Sequence, residues 1–251
     1  MTNPESCKKT GNLAESNENS KVTIAIDGPA GAGKSTVARK LADKKELLYI
    51  DTGAMYRAAT WLAIKNNLPL DQGSTIANLL KTKELKLSSP KEKGESRIRV
   101  FINDEEITEP IRGKEVSDKV SRVAAHKEVR SVLVEQQRKM AAEGNVVLDG
   151  RDIGTVVLPD ADLKIFLTAS SQERARRRVK ELNAMGESAT LEEIHRSIVE
   201  RDERDSTRET APLLKAEDAI EVNTDGMTIE QVVAELSALC KRVTQQKGNR
   251  N

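Results

Sequence analysis

Residues 22–42 read VTIAIDGPAGAGKSTVARKLA, and this stretch predicts the local architecture from which the rest of the fold can be built. Its first six residues form a short apolar run, which is typical of a strand buried on both faces of a parallel sheet. Val37, Leu41 and Ala42 then recur at the spacing of one helix face. We therefore predict a strand, a glycine-rich turn and a helix, in that order.

The turn between this strand and helix matches the phosphate-binding pattern G-x-x-x-x-G-K-[ST] throughout. Its residues are Gly28, Pro29, Ala30, Gly31, Ala32, Gly33, Lys34, Ser35 and Thr36. Glycines let successive backbone N–H groups face a phosphate, and the helix N-terminus adds partial positive charge. We expect Lys34 to reach the β- and γ-phosphates and Ser35 to ligate Mg²⁺. The motif predicts binding of a nucleoside triphosphate and leaves the reaction open.

Further strand-like runs alternate with helical patterns along the chain. The runs lie at 47–51, 145–150, 163–169 and 219–224. This alternation predicts an α/β fold with a five-stranded parallel sheet flanked by helices. Because such sheets bind ligands at the carboxyl ends of their strands, we expect the site to follow Asp27, Asp51, Asp149 and Ala169.

Three segments depart from this pattern. Residues 1–20 are polar and predict a disordered tail ahead of a core domain at 21–251. Residues 69–112 contain the runs ELKLSS and RIRVFI and the turn Asn103-Asp104, which predict a small antiparallel insertion. Residues 170–190 open a charged helical stretch with a break, which we interpret as a mobile lid over the ATP phosphates.

Composition excludes several classes of protein. The 41 Lys+Arg and 40 Asp+Glu give a net charge of +1, which argues against a nucleic-acid binder. The sequence contains no apolar run of about 18 residues, so we expect no transmembrane helix. Cys7 and Cys240 have neither disulfide-scaffold nor metal-site spacing, and with the absence of a signal-peptide pattern they favour a cytoplasmic protein.

Polar clusters follow two of the predicted strands. In DTGAMYR, we expect Thr52 to cap the next helix and contact a ligand, and Arg57 either to reach an anion or to be solvated. In DGRDIG, Asp149 stands where a carboxylate orients Mg²⁺ or its water. Arg151 fits a phosphate and Asp152 a ribose hydroxyl, unless the two form a mutual ion pair.

Two arginine clusters lie in the later helical stretch. Arg201, Arg204, Asp205 and Arg208 have offsets of 0, 3, 4 and 7, which predict one helix face. That face either clamps a phosphate and stabilises transition-state charge or is simply solvated. In the segment 174–178, we expect Arg174 and Arg177 to contact ATP. A phosphate site with so many arginines favours transfer to a phosphate acceptor over hydrolysis, since the cations offset the repulsion between two anionic substrates.

The segments IDGPAGAGKST, DTGAMYR, LDGRDIGTVVLPDADLKIFLTAS and ERDERDSTR together resemble the bacterial cytidylate kinases, from about Val22 to Val243. The resemblance implies a monomeric, Mg²⁺-dependent, cytoplasmic enzyme of pyrimidine metabolism that transfers the γ-phosphate of ATP to CMP or dCMP. It also implies the P-loop fold of the nucleoside monophosphate kinases, with an NMP-binding insertion and a lid.

The resemblance further assigns roles to matched positions, with Lys34, Asp149, Arg151, Arg201 and Arg208 as catalytic residues. The implied CMP-binding set is Thr52, Arg57, Ser121, Arg130, Arg151, Asp152, Arg201, Asp205 and Arg208. Within it, Ser121 would read the base, and Arg57 would meet the CMP phosphate or the cytosine side of the cleft. The phosphate would be bound by Arg130, Arg151 and Arg208. Asp152 and Arg201 would bind the ribose, with Asp205 supporting that network. Thr52 stands where the family commonly has serine, which adds a methyl group.

Other functions remain open at this stage. A related P-loop kinase for another small acceptor would share the P-loop and the arginines, but we expect it to lack the joint DTGAMYR and DGRD pattern. A GTPase is disfavoured because no N-K-x-D motif is present. A non-catalytic binding module is disfavoured by the intact Lys34, Ser35 and Asp149, and turnover of ATP distinguishes the two.

Overall fold

The computed structural model describes residues 21–88, 98–184 and 186–248. The predicted tail, the lysine-rich part of the insertion and Met185 in the predicted lid lie outside the described residues. The strands are β1 Thr23–Asp27, β2 Leu48–Asp51, β3 Leu85–Ser88, β4 Arg99–Ile102, β5 Glu105–Glu106, β6 Val146–Gly150, β7 Leu163–Thr168 and β8 Ile220–Asn223. The α-helices are α1 Lys34–Lys45, α2 Thr52–Lys65, α3 Gly73–Lys81, α4 Lys114–Ala124, α5 Lys127–Ala141, α6 Ser171–Ala184, α7 Leu191–Thr207 and α8 Ile229–Gly248.

The main sheet has five parallel strands in the order β2-β6-β1-β7-β8, which confirms the predicted fold class. The chain runs from β1 out to β2 and later returns to place β6 between them. As a result Asp27, the last residue of β1, pairs in register with Gly150 at the end of β6. The loops that follow these two strands therefore leave the sheet side by side.

Side chains alternate across the sheet and feed two cores. Ile24 and Ile26 of β1 pack in the core that contains residues of α1 and α8, whereas Ala25 packs in the core that contains residues of α2 and α5. This alternation follows from the period of two in a strand. Burial on both faces explains why the central strands are continuous apolar runs.

The predicted insertion contains a separate antiparallel sheet in the order β3-β4-β5, and helix α3 packs against α5. The strand β5 was not predicted, because its two exposed glutamates carry no apolar signal. A 3₁₀-helix at Pro110–Arg112 follows. The role of this insertion in binding a nucleoside monophosphate stays a prediction.

The charged stretch after β7 forms two helices that pack against each other. Helix α6 ends at Ala184, and α7 begins at Leu191 behind a capping box formed by Thr190 and Glu193. The predicted break between two helices is therefore confirmed, whereas the role of 170–190 as a lid stays a prediction. Across the described ranges, every helix is too short or too polar to cross a membrane.

Candidate active site

The glycine-rich turn curls directly after β1, as predicted. Gly28 has φ 147°, and a Cβ there would lie 2.0 Å from the carbonyl oxygen of Leu167. Gly31 and Gly33 have φ values of 77° and 89°, in the left-handed region that favours glycine. Gly33 is the N-cap of α1 and has no side chain over the first turn, so backbone N–H groups at this helix end are open to an anion.

Lys34 lies inside this turn rather than in solvent. Its side chain is buried, and Nζ donates a 2.7 Å hydrogen bond to the carbonyl oxygen of Pro29. Burial lowers the pKa of Lys34 well below 10.5, and Arg151 lowers it further, whereas Asp149 and Asp27 raise it. A phosphate next to Nζ would favour the charged form, because an opposite charge offsets the cost of burial.

Asp149, at the end of β6, is the centre of a hydrogen-bonded group. Its Oδ2 accepts a 2.8 Å bond from the Ser35 hydroxyl and its Oδ1 a 2.8 Å bond from the Tyr49 hydroxyl. The Thr52 hydroxyl donates to its backbone oxygen at 2.6 Å. Burial raises the pKa of the Asp149 carboxyl to about 6. A dication at Ser35 would favour the ionised form of this carboxyl.

Asp27 connects the phosphate-binding turn to the loop after β6. Its buried carboxylate accepts bonds of 2.8 and 2.7 Å from the backbone N–H groups of Ile153 and Gly154. These residues open a π-helix at Ile153–Val157, a rare element that is frequent at functional sites. Burial raises the pKa of Asp27 to about 6, although the two hydrogen bonds lower it.

At the end of β2, the prediction that Thr52 caps the next helix is wrong. The N-cap is Asp51, whose side chain accepts a 2.7 Å bond from the Ala54 N–H, because Thr52 uses its hydroxyl on β6 instead. Asp51 also forms an ion pair with Arg57 at 3.3 Å. The Arg57 Nε is buried without a hydrogen-bond partner, so this half-buried guanidinium retains a free donor.

The loop after β6 does not contain the mutual ion pair considered from sequence. Asp152 instead forms a buried ion pair with Arg130 of α5. An Nη of Arg208 lies 3.9 Å from the other oxygen of Asp152 and is buried without a hydrogen-bond partner. The guanidinium of Arg130 stacks 5.2 Å from the centre of the Tyr56 ring. One carboxylate therefore faces two arginines, which leaves excess positive charge for an anionic ligand.

Arg151 pairs with α7, where its Nε donates to Asp205 at 2.9 Å. Burial raises the pKa of Asp205, but Arg151, Arg201 and Arg208 together lower it below its ordinary value. Burial also lowers the pKa of Arg201 to about 10, helped by Arg151. Arg201 Nε is buried and unpaired. Asp205 with Arg151 and Arg201 thus forms a second charged group, and Arg208 lies between it and the group around Asp152.

The predicted single helix face of arginines is corrected in two places. Arg204 is exposed, and its Nε donates to the carbonyl oxygen of Glu200 on its own helix. Arg208 lies beyond the end of α7 in extended backbone, where its Nε donates to the Ala211 carbonyl oxygen at 2.6 Å. Arg208 interacts with Asp152 from beyond the helix end, whereas Arg204 is exposed on α7.

The two arginines expected at ATP are engaged with the protein. Arg174 is buried, donates to the carbonyl oxygens of Ala169 and Ala30, and forms a 2.7 Å ion pair with Asp202. Arg177 donates twice to Thr224, at 3.0 and 2.7 Å. Their contact with ATP stays a prediction.

Most of the predicted residues converge. One charged cluster at the ends of β1 and β6 contains the phosphate-binding turn, Asp149, Arg151, Asp152, Arg201, Asp205 and Arg208. Ser121 is half-buried on helix α4, which contacts α7. Two contacts were not predicted from the sequence: the hydrogen bonds that Asp27 accepts from the start of the π-helix, and the bond from Tyr49 to Asp149. Their only signal was position: Asp27 ends a strand immediately before a glycine, and Tyr49 lies two residues before Asp51.

Comparison with known proteins gives a consistent result. The family model described as cytidylate kinase matches residues 24–242. A cytidylate kinase of Carboxydothermus hydrogenoformans is 54% identical over 219 residues, which cover 87% of this chain and 97% of that protein. A cytidylate kinase of Listeria welshimeri is 53% identical over 222 residues, which cover 88% and 97%.

Among solved structures, a shikimate kinase from Bacteroides thetaiotaomicron aligns at 15% identity with a TM-score of 0.47, covering 88% of this chain and 99% of that one. The family assignment rests on the sequence matches, which span the phosphate-binding turn, the DGRD loop and the arginines of α7. The chain belongs to the cytidylate kinase family.

Proposed function

We propose that the chain transfers the γ-phosphoryl group of ATP to CMP or dCMP and releases ADP with CDP or dCDP. The observation that supports this most strongly is the pairing of two anion sites at adjacent strand ends. The phosphate-binding turn follows β1, and the DGRD loop with its arginines follows β6, whose last residue is in register with Asp27. Two anionic substrates can thus meet in one cleft without strong repulsion.

On the ATP side, we assign the backbone of residues 28–36 to the phosphates. Lys34 would leave the Pro29 carbonyl oxygen, 2.7 Å from its Nζ, for the β- and γ-phosphate oxygens. That exchange replaces a bond to a neutral carbonyl oxygen with a bond to an anion, which adds the attraction between opposite charges. Arg174 stabilises this turn by donating a hydrogen bond to the carbonyl oxygen of Ala30.

The residues present fit Mg²⁺. The hydroxyl of Ser35 and the carboxylate of Asp149 are hard oxygen donors that already touch at 2.8 Å. The described residues contain no cluster of three or more acidic, histidine or cysteine side chains for a metal. Mg²⁺ usually needs only one or two carboxylates besides the substrate phosphates, so this donor set suffices. When bound, Mg²⁺ would neutralise charge on the transferred group.

On the acceptor side, we assign Arg151, Arg208, Arg130 and Arg57 to the CMP phosphate and its surroundings. Arg208 and Arg57 each retain a buried N–H without a partner, which is costly unless a ligand accepts from it. We assign Asp152, Arg201 and Asp205 to the ribose, and Ser121 and Thr52 to the rest of the nucleotide. These assignments follow the family resemblance and the convergence of the side chains.

The chemistry needs no protein nucleophile. An oxygen of the CMP phosphate attacks the γ-phosphorus of ATP, the bond from that phosphorus to the β–γ bridging oxygen breaks, and ADP leaves. Lys34, Arg151, Arg201 and Arg208 would stabilise the charge spread over the transferred group, and the cleft would hold the two oxygens in line.

Incubation with ATP, Mg²⁺ and CMP, followed by chromatography of the nucleotides, tests this proposal. We expect CDP and ADP in equal amounts. Inorganic phosphate without CDP would instead identify a hydrolase, and no consumption of ATP would favour a binding module.

We also propose that the enzyme acts as a monomer in the cytoplasm, without a nucleic-acid or membrane partner. The monomeric state and the cytoplasm rest on the family resemblance, and the net charge of +1 argues against a nucleic-acid partner. Sedimentation equilibrium tests the first statement.

A further inference from the structure

Tyr49 makes a contact that the roles assigned above do not use. It lies on β2 with 7% of its surface exposed, and its hydroxyl donates to Oδ1 of Asp149 at 2.8 Å. The other carboxylate oxygen, Oδ2, accepts from Ser35 at the same distance. Each oxygen of Asp149 is therefore held by a donor from a different element, one on β2 and one on α1.

The bond from Ser35 has a consequence for the cation. A serine hydroxyl has one proton and two lone pairs. When the proton goes to Asp149 Oδ2, the lone pairs are left for Mg²⁺. The direction in which they point depends on where Oδ2 lies.

Tyr49 determines where Oδ2 lies. The terminal torsion of an aspartate is soft, so the carboxylate of Asp149 can rotate unless a second contact holds it. The Tyr49 ring is buried in the core beside Val147, its register partner on β6, so its hydroxyl is a rigid donor. The Tyr49 hydroxyl also lies close enough to the Ser35 hydroxyl for the two to interact.

We propose that Tyr49 is a positioning residue for Mg²⁺ in the ATP site. Its phenol fixes the Asp149 carboxylate in the orientation that takes the Ser35 proton and turns a Ser35 lone pair towards the cation. The inference rests on the proposed function only in that it assumes Mg²⁺ binds here with a nucleotide. Outer partners of metal ligands typically change metal affinity by about 10- to 100-fold.

The competing explanation is that Tyr49 only satisfies a buried carboxylate. Both explanations predict a lower melting temperature after Tyr49→Phe, because a buried hydrogen bond is lost. Only the positioning role predicts a change in the Mg²⁺ dependence of nucleotide binding.

The test is equilibrium binding of ADP by calorimetry over a series of free Mg²⁺ concentrations and in EDTA. ADP is used because it binds without turnover. In Tyr49→Phe we expect the Mg²⁺ concentration for half-maximal tightening to rise about tenfold, with ADP affinity in EDTA unchanged. Tyr49→Leu removes the same hydroxyl, and we expect the same direction of change.

Thr60→Val is the matched control. It removes another buried hydroxyl, which bonds only within α2 to the Tyr56 carbonyl oxygen at 2.9 Å, and it should leave the Mg²⁺ midpoint unchanged. A midpoint in folded Tyr49→Phe and Tyr49→Leu within twofold of the unchanged chain would overturn the inference. Formation of CDP by the unchanged chain tests the proposed function separately, so the two can fail independently.

Discussion

Arg208 is the side chain whose geometry calls most clearly for a ligand. It is nearly buried, its Nη lies 3.9 Å from Asp152, and that Nη has no hydrogen-bond partner. Burial lowers the pKa of Arg208, and the neighbouring Arg130 adds to this effect. A phosphate between these arginines would satisfy the free donor and offset the repulsion between the cations.

Arg208→Ala should therefore lower kcat/KM for CMP by about 100-fold, because a fixed donor to the reacting phosphates is lost. Arg204→Ala is its control, because Arg204 is exposed and its Nε donates to a carbonyl oxygen of its own helix, α7. Steady-state kinetics of both variants test the assignment. Equal kcat/KM for Arg208→Ala and the unchanged chain would remove Arg208 from the site.

The raised pKa of Asp27 predicts that the stability of the fold depends on pH. Its pKa of about 6 in the folded chain lies above the ordinary value of 3.8, so between about pH 4 and pH 6 the folded state holds a proton that the unfolded state has lost. The stability from this proton is fully present below pH 4 and is lost as the pH rises through 6. Relative to Asp27→Asn, the free energy of unfolding of the unchanged chain should fall by about 3 kcal/mol over this range.

Urea denaturation of the two proteins between pH 4 and pH 7 measures this difference. The Asp149 carboxyl titrates in both proteins, so its contribution cancels in the comparison. Parallel curves would mean that Asp27 does not titrate in this window.

At the residue scale, the sequence identified side chains but not their partners. The pattern around Lys34 and Ser35 is local, so spacing alone predicted it. A mutual ion pair between Arg151 and Asp152 was the alternative to a phosphate contact, yet Arg151 pairs with Asp205, which is 54 positions away. Such a pairing depends on how α7 docks, and no local pattern encodes it.

Among the elements, the turn that binds phosphate is supported by α6. Arg174 of this helix donates to Ala30 in the turn at 3.1 Å and to Ala169 at the end of β7, and it forms an ion pair with Asp202 of α7. Gly31 packs directly on its side chain, since a Cβ there would lie 3.4 Å from the Arg174 Cβ. Helices α6 and α7 and the phosphate-binding turn thus share one buried cation, Arg174.

Arg174→Met should both destabilise the fold and weaken ATP binding. We expect the free energy of unfolding to fall by about 3 kcal/mol, because Asp202 loses its partner, and the KM for ATP to rise as the turn loosens. Arg176→Met, at an exposed position of the same helix, should change neither. Weaker ATP binding at unchanged stability would instead mean that Arg174 contacts ATP and does not support the turn.

Elements were predicted where their pattern is strong. Four of the five sheet strands are mainly apolar runs, and β8 alternates apolar and polar residues. Each of the five ends at a polar residue or a glycine, so their limits were nearly right. The π-helix at Ile153–Val157 was missed because its sequence, IGTVV, is as apolar as a strand. Its first two N–H groups donate to Asp27, which is 126 positions from Ile153, so no local pattern records this contact.

In the whole molecule, sheet order explains why one cleft can serve two nucleotides. Because β6 lies between β2 and β1, the loops after all three strands open at the same edge. Asp51 and Asp27 are the last residues of β2 and β1, Asp149 is the residue before the last of β6, and all three are buried. The order itself was not deduced from the residues, since parallel strands carry no record of their neighbours, whereas the alternation of strands and helices predicted the five parallel strands.

The central claim is that this cleft accepts cytidine monophosphates. It is tested most directly by kcat/KM for CMP, dCMP, UMP, AMP and GMP with ATP and Mg²⁺, measured as ADP release against a reaction without acceptor. We predict high values for CMP and dCMP and values at least tenfold lower for the purine nucleotides, because a buried hydrogen-bonding group left unmatched costs about 1–3 kcal/mol and about 1.4 kcal/mol is a factor of ten. Equal values for all five acceptors, or ADP release that does not depend on an acceptor, would contradict the claim.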